Sequence, residues 1–236
     1  MCSSDLPVAD KKIQDFYTEK YGAVHPTKAG LKIPEIFDAA INKEVKGLWI
    51  IGEDIVQTDP NSAHVIKAMK SLDLLVVQEI FMSETAKLAD VVLPGTTFLE
   101  KDGTFTNTER RVQRVNKAAE PLPGTKPDGV IVTEMMQKLG YDQPTYDADQ
   151  VLAEVADVVP FFKGITRERL GKLGLQWPVK EDGTDTKILH EKEFKLGKGR
   201  LKSFDWKEST EIKNNIKEYP LDRKSTRLNS SHQIIS

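Results

Sequence analysis

The stretch from Gly47 to Arg114 decides the fold. It opens as GLWIIGEDIVQTDP (47–60) and resumes at Leu72 as LDLLVVQEIFMSETAKLADVVLPGTTFLEKDGTFTNTERRVQR (72–114). Three short apolar runs, Leu48–Ile51, Leu72–Val77 and Val91–Leu93, each end in a polar loop. Continuous apolar runs of this length are typical of parallel strands buried on both faces. Polar loops at the carboxyl ends of such strands are where ligands lie across an open α/β sheet.

Helical patterns alternate with these runs. Ile13–Tyr21 has the spacing of a short amphipathic helix. Pro34 suits the first turn of the next helix, where its missing amide costs nothing. That helix runs to about Asn42, with Ile36, Phe37, Ala40 and Ile41 on one face. Asn61 or Ser62 caps a helix carrying Val65, Ile66 and Met69. Ser83 opens a further short helix, and Pro94 stops the third strand. The order is strand–helix–strand–helix–strand, which implies right-handed crossovers. The expected fold is α/β, with a doubly wound, mostly parallel sheet and a loop-rich C-terminal extension. Beyond the turn-rich 121–127 segment, helices are expected over Asp128–Leu139, Ala148–Val158 and near Arg167–Leu173. The Asp128 helix carries apolar residues at Val130, Ile131, Met135 and Leu139, with Gly140 at its C-terminus. An extended pair is expected around Lys187–Phe194 and Gly199–Phe204.

Both ends read differently from the body. Residues 222–236, DRKSTRLNSSHQIIS, resemble a translated sequencing adapter, and residues 1–6, MCSSDL, resemble its other end. The other reading is a basic, Ser-rich disordered tail. The expected organisation is an adapter-like head (1–6), an α/β domain (7–158), a loop-rich connector (159–221) and an adapter-like tail (222–236). Cys2 is the only cysteine of the 236 residues and falls in that head. The body therefore offers no thiolate for a disulfide, an iron–sulfur cluster or nucleophilic catalysis. The net charge of −2 gives no basic field for nucleic acid. No apolar run is long enough to span a membrane, and the Met1 end does not read as a signal peptide. A cytoplasmic location is the expectation.

Several residues have the chemistry of a ligand site. Gly52-Glu53-Asp54 follows the first strand directly. Glycine admits a ligand close to the backbone, and carboxylates accept from ring and amino N–H groups or ribose hydroxyls. An ordinary turn has the same composition. Gln78-Glu79 repeats the arrangement at the end of the second strand, with solvated loop residues as the other reading. The segment Lys101–Asn107 reads as a compact Gly-centred loop, in which Lys101 suits a phosphate or ribose and Asn107 the polar edge of a heterocyclic base. Glu109, Arg110, Arg111 and Arg114 form either a solvated charge run or a phosphate-binding group. His25, His64 and His190 stand alone, without partners at metal-ligand spacing. No GxGxxG, phosphate loop or nucleophile elbow is present.

The stretches GLKIPEIFDAAINKEVKGLWIIGED (30–54) and QEIFMSETAKLADVVLPGTTFLEKDGTFTNTERRVQR (78–114) closely resemble the molybdopterin oxidoreductase superfamily. The QWPV segment (176–179), ILHEKEF (188–194), GKGR (197–200) and EYPL (218–221) make the likeness one to the catalytic alpha subunit of formate dehydrogenases. The resemblance implies a parent that binds molybdenum or tungsten through pterin guanine dinucleotides. Such a parent oxidises formate to carbon dioxide and passes two electrons to a 4Fe–4S cluster. On this analogy Gly52, Glu53, Asp54, Gln78, Glu79, Lys101 and Asp128 fall where such proteins hold the guanosine end of one dinucleotide, with Asn107 and Arg110 as outlying members. The metal ligand, the cluster cysteines and the catalytic His and Arg of that family lie in sequence not represented here. The chain is thus expected to be an internal piece that supplies one wall of a cofactor cleft and is inactive alone. Its partners would be the other domains of its own parent chain and electron-transfer subunits. A non-catalytic scaffold portion of the large iron–sulfur subunit of NADH-quinone oxidoreductase is the alternative, as is a free-standing nucleotide-binding module.

Overall fold

The computed structural model describes residues 9–23, 26–180, 182–191, 194, 197–199, 201–203 and 205–206. The adapter-like tail, the head and His25 lie outside the described residues. The chain divides into two compact units, Met1–Lys187 and Ile188–Ser236.

In the first unit, helices α1 (Lys11–Tyr21) and α2 (Ile33–Ile41) precede strand β1 (Gly47–Ile51). A single helical turn α3 (Ile55–Thr58) and helix α4 (Ser62–Ser71) lead into β2 (Leu74–Glu79), and β3 (Val91–Pro94) follows. These strands form a parallel sheet of order β1-β2-β3. The α/β fold with a parallel sheet read from the sequence is therefore the one present. Pro34 sits in the first turn of α2, and the Asn61 side chain caps α4 by accepting from the His64 amide.

The sheet is packed more fully on one face than on the other. Ile50, Leu75 and Val77 meet Phe37 and Ala40 of α2 and Val65, Ala68 and Met69 of α4 in one buried core. The helical spacing of i, i+3, i+4 matches the alternate residues of the strands, so both elements present one apolar face. Full burial of each Val, Leu or Met here is worth about 1.5–3 kcal/mol. The opposite face carries Ile51, Leu74 and Val91, which are 48%, 48% and 42% exposed. Among the described residues that face is only partly covered.

The segment after Glu100 also differs from expectation. Residues 103–115 are not a loop followed by a charge run. They form an antiparallel hairpin of β4 (Gly103–Thr106) and β5 (Arg111–Val115). The Asn107 side chain closes the turn by accepting from the Glu109 and Arg111 amides. A side-chain oxygen that mimics a backbone turn is the usual role of Asn at such a corner. Helices α5 (Asp128–Lys138), α6 (Ala148–Val158) and α7 (Arg167–Leu170) follow, and β6 (Leu175–Gln176) pairs with β5. The second core joins Val112, Leu152, Ile165, Leu170 and Trp177. Leu139 is 80% exposed, because α5 ends one residue before it.

In the second unit, the expected extended pair is absent among the described residues of 187–204, and the remainder lies outside them. No helix of the described residues is long and apolar enough to cross a membrane.

Candidate functional site

The site grows from the carboxyl edge of the parallel sheet. β1 ends at Gly52, which has φ of +65°. That left-handed conformation favours glycine, and it turns the chain away from the strand. The Gly52 amide still donates to the Gln78 carbonyl at 2.9 Å, which ties the end of β1 to the end of β2.

The Gln78 side chain is buried, yet only half of its amide is satisfied. Nε2 donates to Asp128 Oδ1 at 2.7 Å. That bond fixes which end of the amide is nitrogen, since a carboxylate only accepts. Oε1 is left buried without a partner. Buried acceptors of this kind are rare, because each costs about 1–3 kcal/mol unless a partner arrives.

Asp128 is the first residue of α5, where a carboxylate is favoured by the unpaired amides of the helix start. Lys101 Nζ reaches its second oxygen at 2.5 Å. Burial pushes the Asp128 carboxyl up, but the bonds from Lys101 and Gln78 outweigh it and hold the group below the usual carboxylate range. Gly95 stands directly behind this pair. Its amide donates to the Glu79 carbonyl, and a Cβ there would lie 3.2 Å from Asp128 Oδ1. A bridge from Gly95 to Lys126 brings the start of α5 to the end of β3.

Five of the nine residues singled out from sequence thus form one connected set: Gly52, Gln78, Glu79, Lys101 and Asp128. Glu53 lies next to it, exposed, and accepts from the Thr58 hydroxyl at 3.3 Å. Asp54 faces the other way. Its carboxylate accepts from the Glu84 and Thr85 amides and from Thr85 Oγ1, so it anchors the turn that Ser83 begins. Burial raises the Asp54 carboxyl, and the Thr85 and Glu84 hydrogen bonds prevail and lower it. Asn107 and Arg110 lie at the tip of the hairpin. Arg110 donates to the carbonyls of Trp177, Thr186 and Lys187 and stacks over the Trp177 ring. Its guanidinium clasps the QWPV segment, and none of its hydrogen bonds reaches the Gln78–Asp128–Lys101 set.

Sequence reading passed over Gly95 and Thr96. Their signal is the Gly-Thr-Thr that follows Pro94 at a third strand end, the position equivalent to Gly52 and Gln78. Thr96 is buried, with its hydroxyl unpartnered.

Known proteins match this chain over most of its length. The family model for the molybdopterin oxidoreductases matches residues 15–138. The alpha subunit of an F420-dependent formate dehydrogenase from Methanocaldococcus jannaschii is 44% identical over 219 residues, 89% of this chain and 32% of that protein. The alpha subunit of F420-dependent formate dehydrogenase 2 from Methanococcus maripaludis is 45% identical over 197 residues, 81% of this chain and 29% of the relative. Among solved structures, acetylene hydratase from Pelobacter acetylenicus matches with a TM-score of 0.56 at 21% identity. That match covers 89% of this chain and 32% of the hydratase, and the likeness is one of fold. The chain spans about a third of the length of the curated relatives it matches.

Proposed function

The chain belongs to the molybdopterin oxidoreductase family, and from that premise we propose that it forms one wall of the cofactor cleft of a formate dehydrogenase alpha subunit. Its ligand is the guanosine end of a pterin guanine dinucleotide that carries molybdenum or tungsten. The observation that carries this reading is the pair of acceptors at the sheet edge, the unpartnered Gln78 Oε1 beside the Asp128 carboxylate. Guanine offers two adjacent donors, at N1 and the exocyclic amine, whereas adenine offers a donor beside an acceptor. Two neighbouring acceptors therefore suit guanine and leave adenine with a repelled lone pair.

A molybdenum or tungsten centre held in that cleft would supply the acceptor for the two electrons released when formate becomes carbon dioxide and a proton. This chain binds and orients. Asp128 and Gln78 receive the base edge, Gly52 and Gly95 keep the strand ends clear for it, and Lys101 exchanges part of its bond to Asp128 for a ribose or phosphate oxygen. Glu53 and Glu79 line the rim and accept from sugar hydroxyls. Asp54, Asn107 and Arg110 hold the flanking loops in place. Cys2 is the only cysteine, so the 4Fe–4S cluster that takes the electrons is held elsewhere in the parent, next to its electron-transfer subunits. The naming of relatives as formate dehydrogenase alpha subunits favours this reading over a scaffold role in an NADH-quinone oxidoreductase.

Calorimetric titration of the chain with GMP and AMP tests the proposal. GMP should bind at least about tenfold more tightly than AMP, as expected where a site is built to pair with polar groups of one base. Asp128→Ala should abolish that preference. Equal affinity for both nucleotides, unaffected by the substitution, would sink the guanosine assignment. Formate oxidation by a Methanocaldococcus alpha subunit carrying this segment in place of its own tests the wider reading.

A further inference from the structure

A cleft of about 440 Å³ is lined by Lys101, the ion-pair partner of Asp128, and by Pro127, Tyr146 and Arg167 among others. Tyr146 precedes α6 and belongs to none of the hydrogen-bonded sets described above. Its ring is pressed onto the start of α5. A Cβ on Gly129 would stand 2.1 Å from Tyr146 Cε2 and 2.3 Å from Cζ, closer than any side chain tolerates. Glycine at the residue after Asp128 is what lets an aromatic ring lie there. The ring is half-buried, and its hydroxyl makes no hydrogen bond among the described residues. That hydroxyl also lies in the field of the Asp128 and Asp147 carboxylates; burial first, then these charges, raise its pKa.

The hydroxyl is not buried, so it is open to donate to a ligand in the cleft while the ring packs on Gly129. Here one part of the ring covers Gly129 and the remainder faces a polar cleft shared with Lys101. We propose that Tyr146 is a positioning residue of the Asp128 site, its ring forming the wall on which a purine base stacks while its hydroxyl donates to the nucleotide. The proposal rests on the guanosine reading above and adds a residue to it. An aromatic wall contributes affinity for any purine, whereas Asp128 and Gln78 decide which purine. The two contributions are therefore separable by experiment.

The test titrates the full chain with GMP and AMP, comparing wild type with Tyr146→Ala, Tyr146→Phe and Asp128→Ala. Tyr146→Ala should weaken both nucleotides about tenfold and leave the preference for GMP, as loss of a stacking platform does. Tyr146→Phe should keep the stacking and weaken binding about threefold. In the wild-type chain, bound GMP should show nuclear Overhauser contacts between its base protons and the Tyr146 ring, a readout that requires no variant to fold. If Asp128→Ala loses the GMP preference while Tyr146→Ala binds like wild type and the ring contacts are absent, Tyr146 has no part in the site and the guanosine reading stands. If the wild-type chain shows no preference for GMP, the reading and this inference fall together.

Discussion

Gln78 and Asp128 are fifty residues apart in the chain and 2.7 Å apart in the fold, amide nitrogen to carboxylate oxygen. One ends a strand of the parallel sheet and the other begins a helix. Their bond joins the sheet edge to the α5 segment and leaves Gln78 Oε1 unused, while Lys101 takes the second Asp128 oxygen. Stability and binding therefore depend on the same few atoms.

The first consequence is a pH dependence. The Asp128 carboxyl is held below its usual range in the folded chain. A lowered folded pKa means that the group's contribution is fully present above its unfolded value of about 3.9 and is lost as pH falls through the folded value. The Asp128 side chain is 41% exposed, so solvent screening reduces the contribution to roughly 0.5–1 kcal/mol. Urea unfolding of wild type and Asp128→Asn should differ by about that much at pH 7 and converge as pH falls below the unfolded value and through the lowered folded one. A difference that stays constant across this range would show that the carboxylate's charge contributes nothing to stability.

Asp54 anchors rather than opens. It accepts from two amides and the hydroxyl of Thr85, a residue with no exposed surface. Asp54→Ala leaves those donors without a partner in a closely packed turn. The expected loss is about 2–3 kcal/mol of unfolding free energy, read from the urea midpoint. Asp54→Asn keeps the shape and one acceptor oxygen and should lose about half as much. Equal stability of all three proteins would remove the anchoring role.

Arg110 separates a structural role from a binding role. Its guanidinium spans three carbonyls of the 177–187 segment and lies 5.5 Å from the Trp177 ring centre. A lysine cannot reproduce that fork. Arg110→Lys should therefore cost about 1–2 kcal/mol of stability, close to the loss in Arg110→Ala. GMP affinity should be unchanged in both. A selective loss of nucleotide binding at unchanged stability would move Arg110 into the binding set.

The sequence is informative where local physics decides, and silent where distance does. The parallel strands, the Asn61 cap and the Pro34 helix start follow from apolar runs and end signals within a few residues, and all are present. The hairpin at 103–115 was hidden because Gly103, Asn107 and three arginines read as loop and charge. The hairpin itself is local, but the strand that completes its sheet, Leu175–Gln176, lies more than sixty residues away. Which face of the sheet is covered is equally nonlocal, since Ile51 and Leu74 are identical in character to the buried Ile50 and Leu75 and differ only in what packs on them. Gln78 was visible as a polar residue at a strand end and Lys101 as part of a Gly-centred loop, whereas Asp128 was a candidate only through the family resemblance. Their meeting point was not visible, because no local rule brings the start of α5 to the end of β2. Tyr146 left no signal at all, as its role depends on the absence of a side chain at Gly129.

Gly95 offers the sharpest separation of binding from folding. Its backbone is not in the left-handed region, so alanine is conformationally permitted there. The added methyl would lie 3.2 Å from Asp128 Oδ1, 3.7 Å from Ile80 Cγ2 and 3.8 Å from the Glu79 carbonyl. The two longer contacts are ordinary packing, and only the carboxylate is crowded. Asp128 is partly exposed and has room to yield by a few tenths of an ångström, away from Gln78. Gly95→Ala should therefore change unfolding free energy by less than about 1 kcal/mol, since a small gain in backbone rigidity offsets mild crowding. The displaced carboxylate no longer meets the base edge in register with Gln78 Oε1, so GMP affinity should fall about three- to tenfold. AMP, which gains little from those acceptors, should be nearly unaffected. Parallel losses for both nucleotides would mean that the methyl blocks the cleft as a whole and that the acceptor pair at the sheet edge does not select the base.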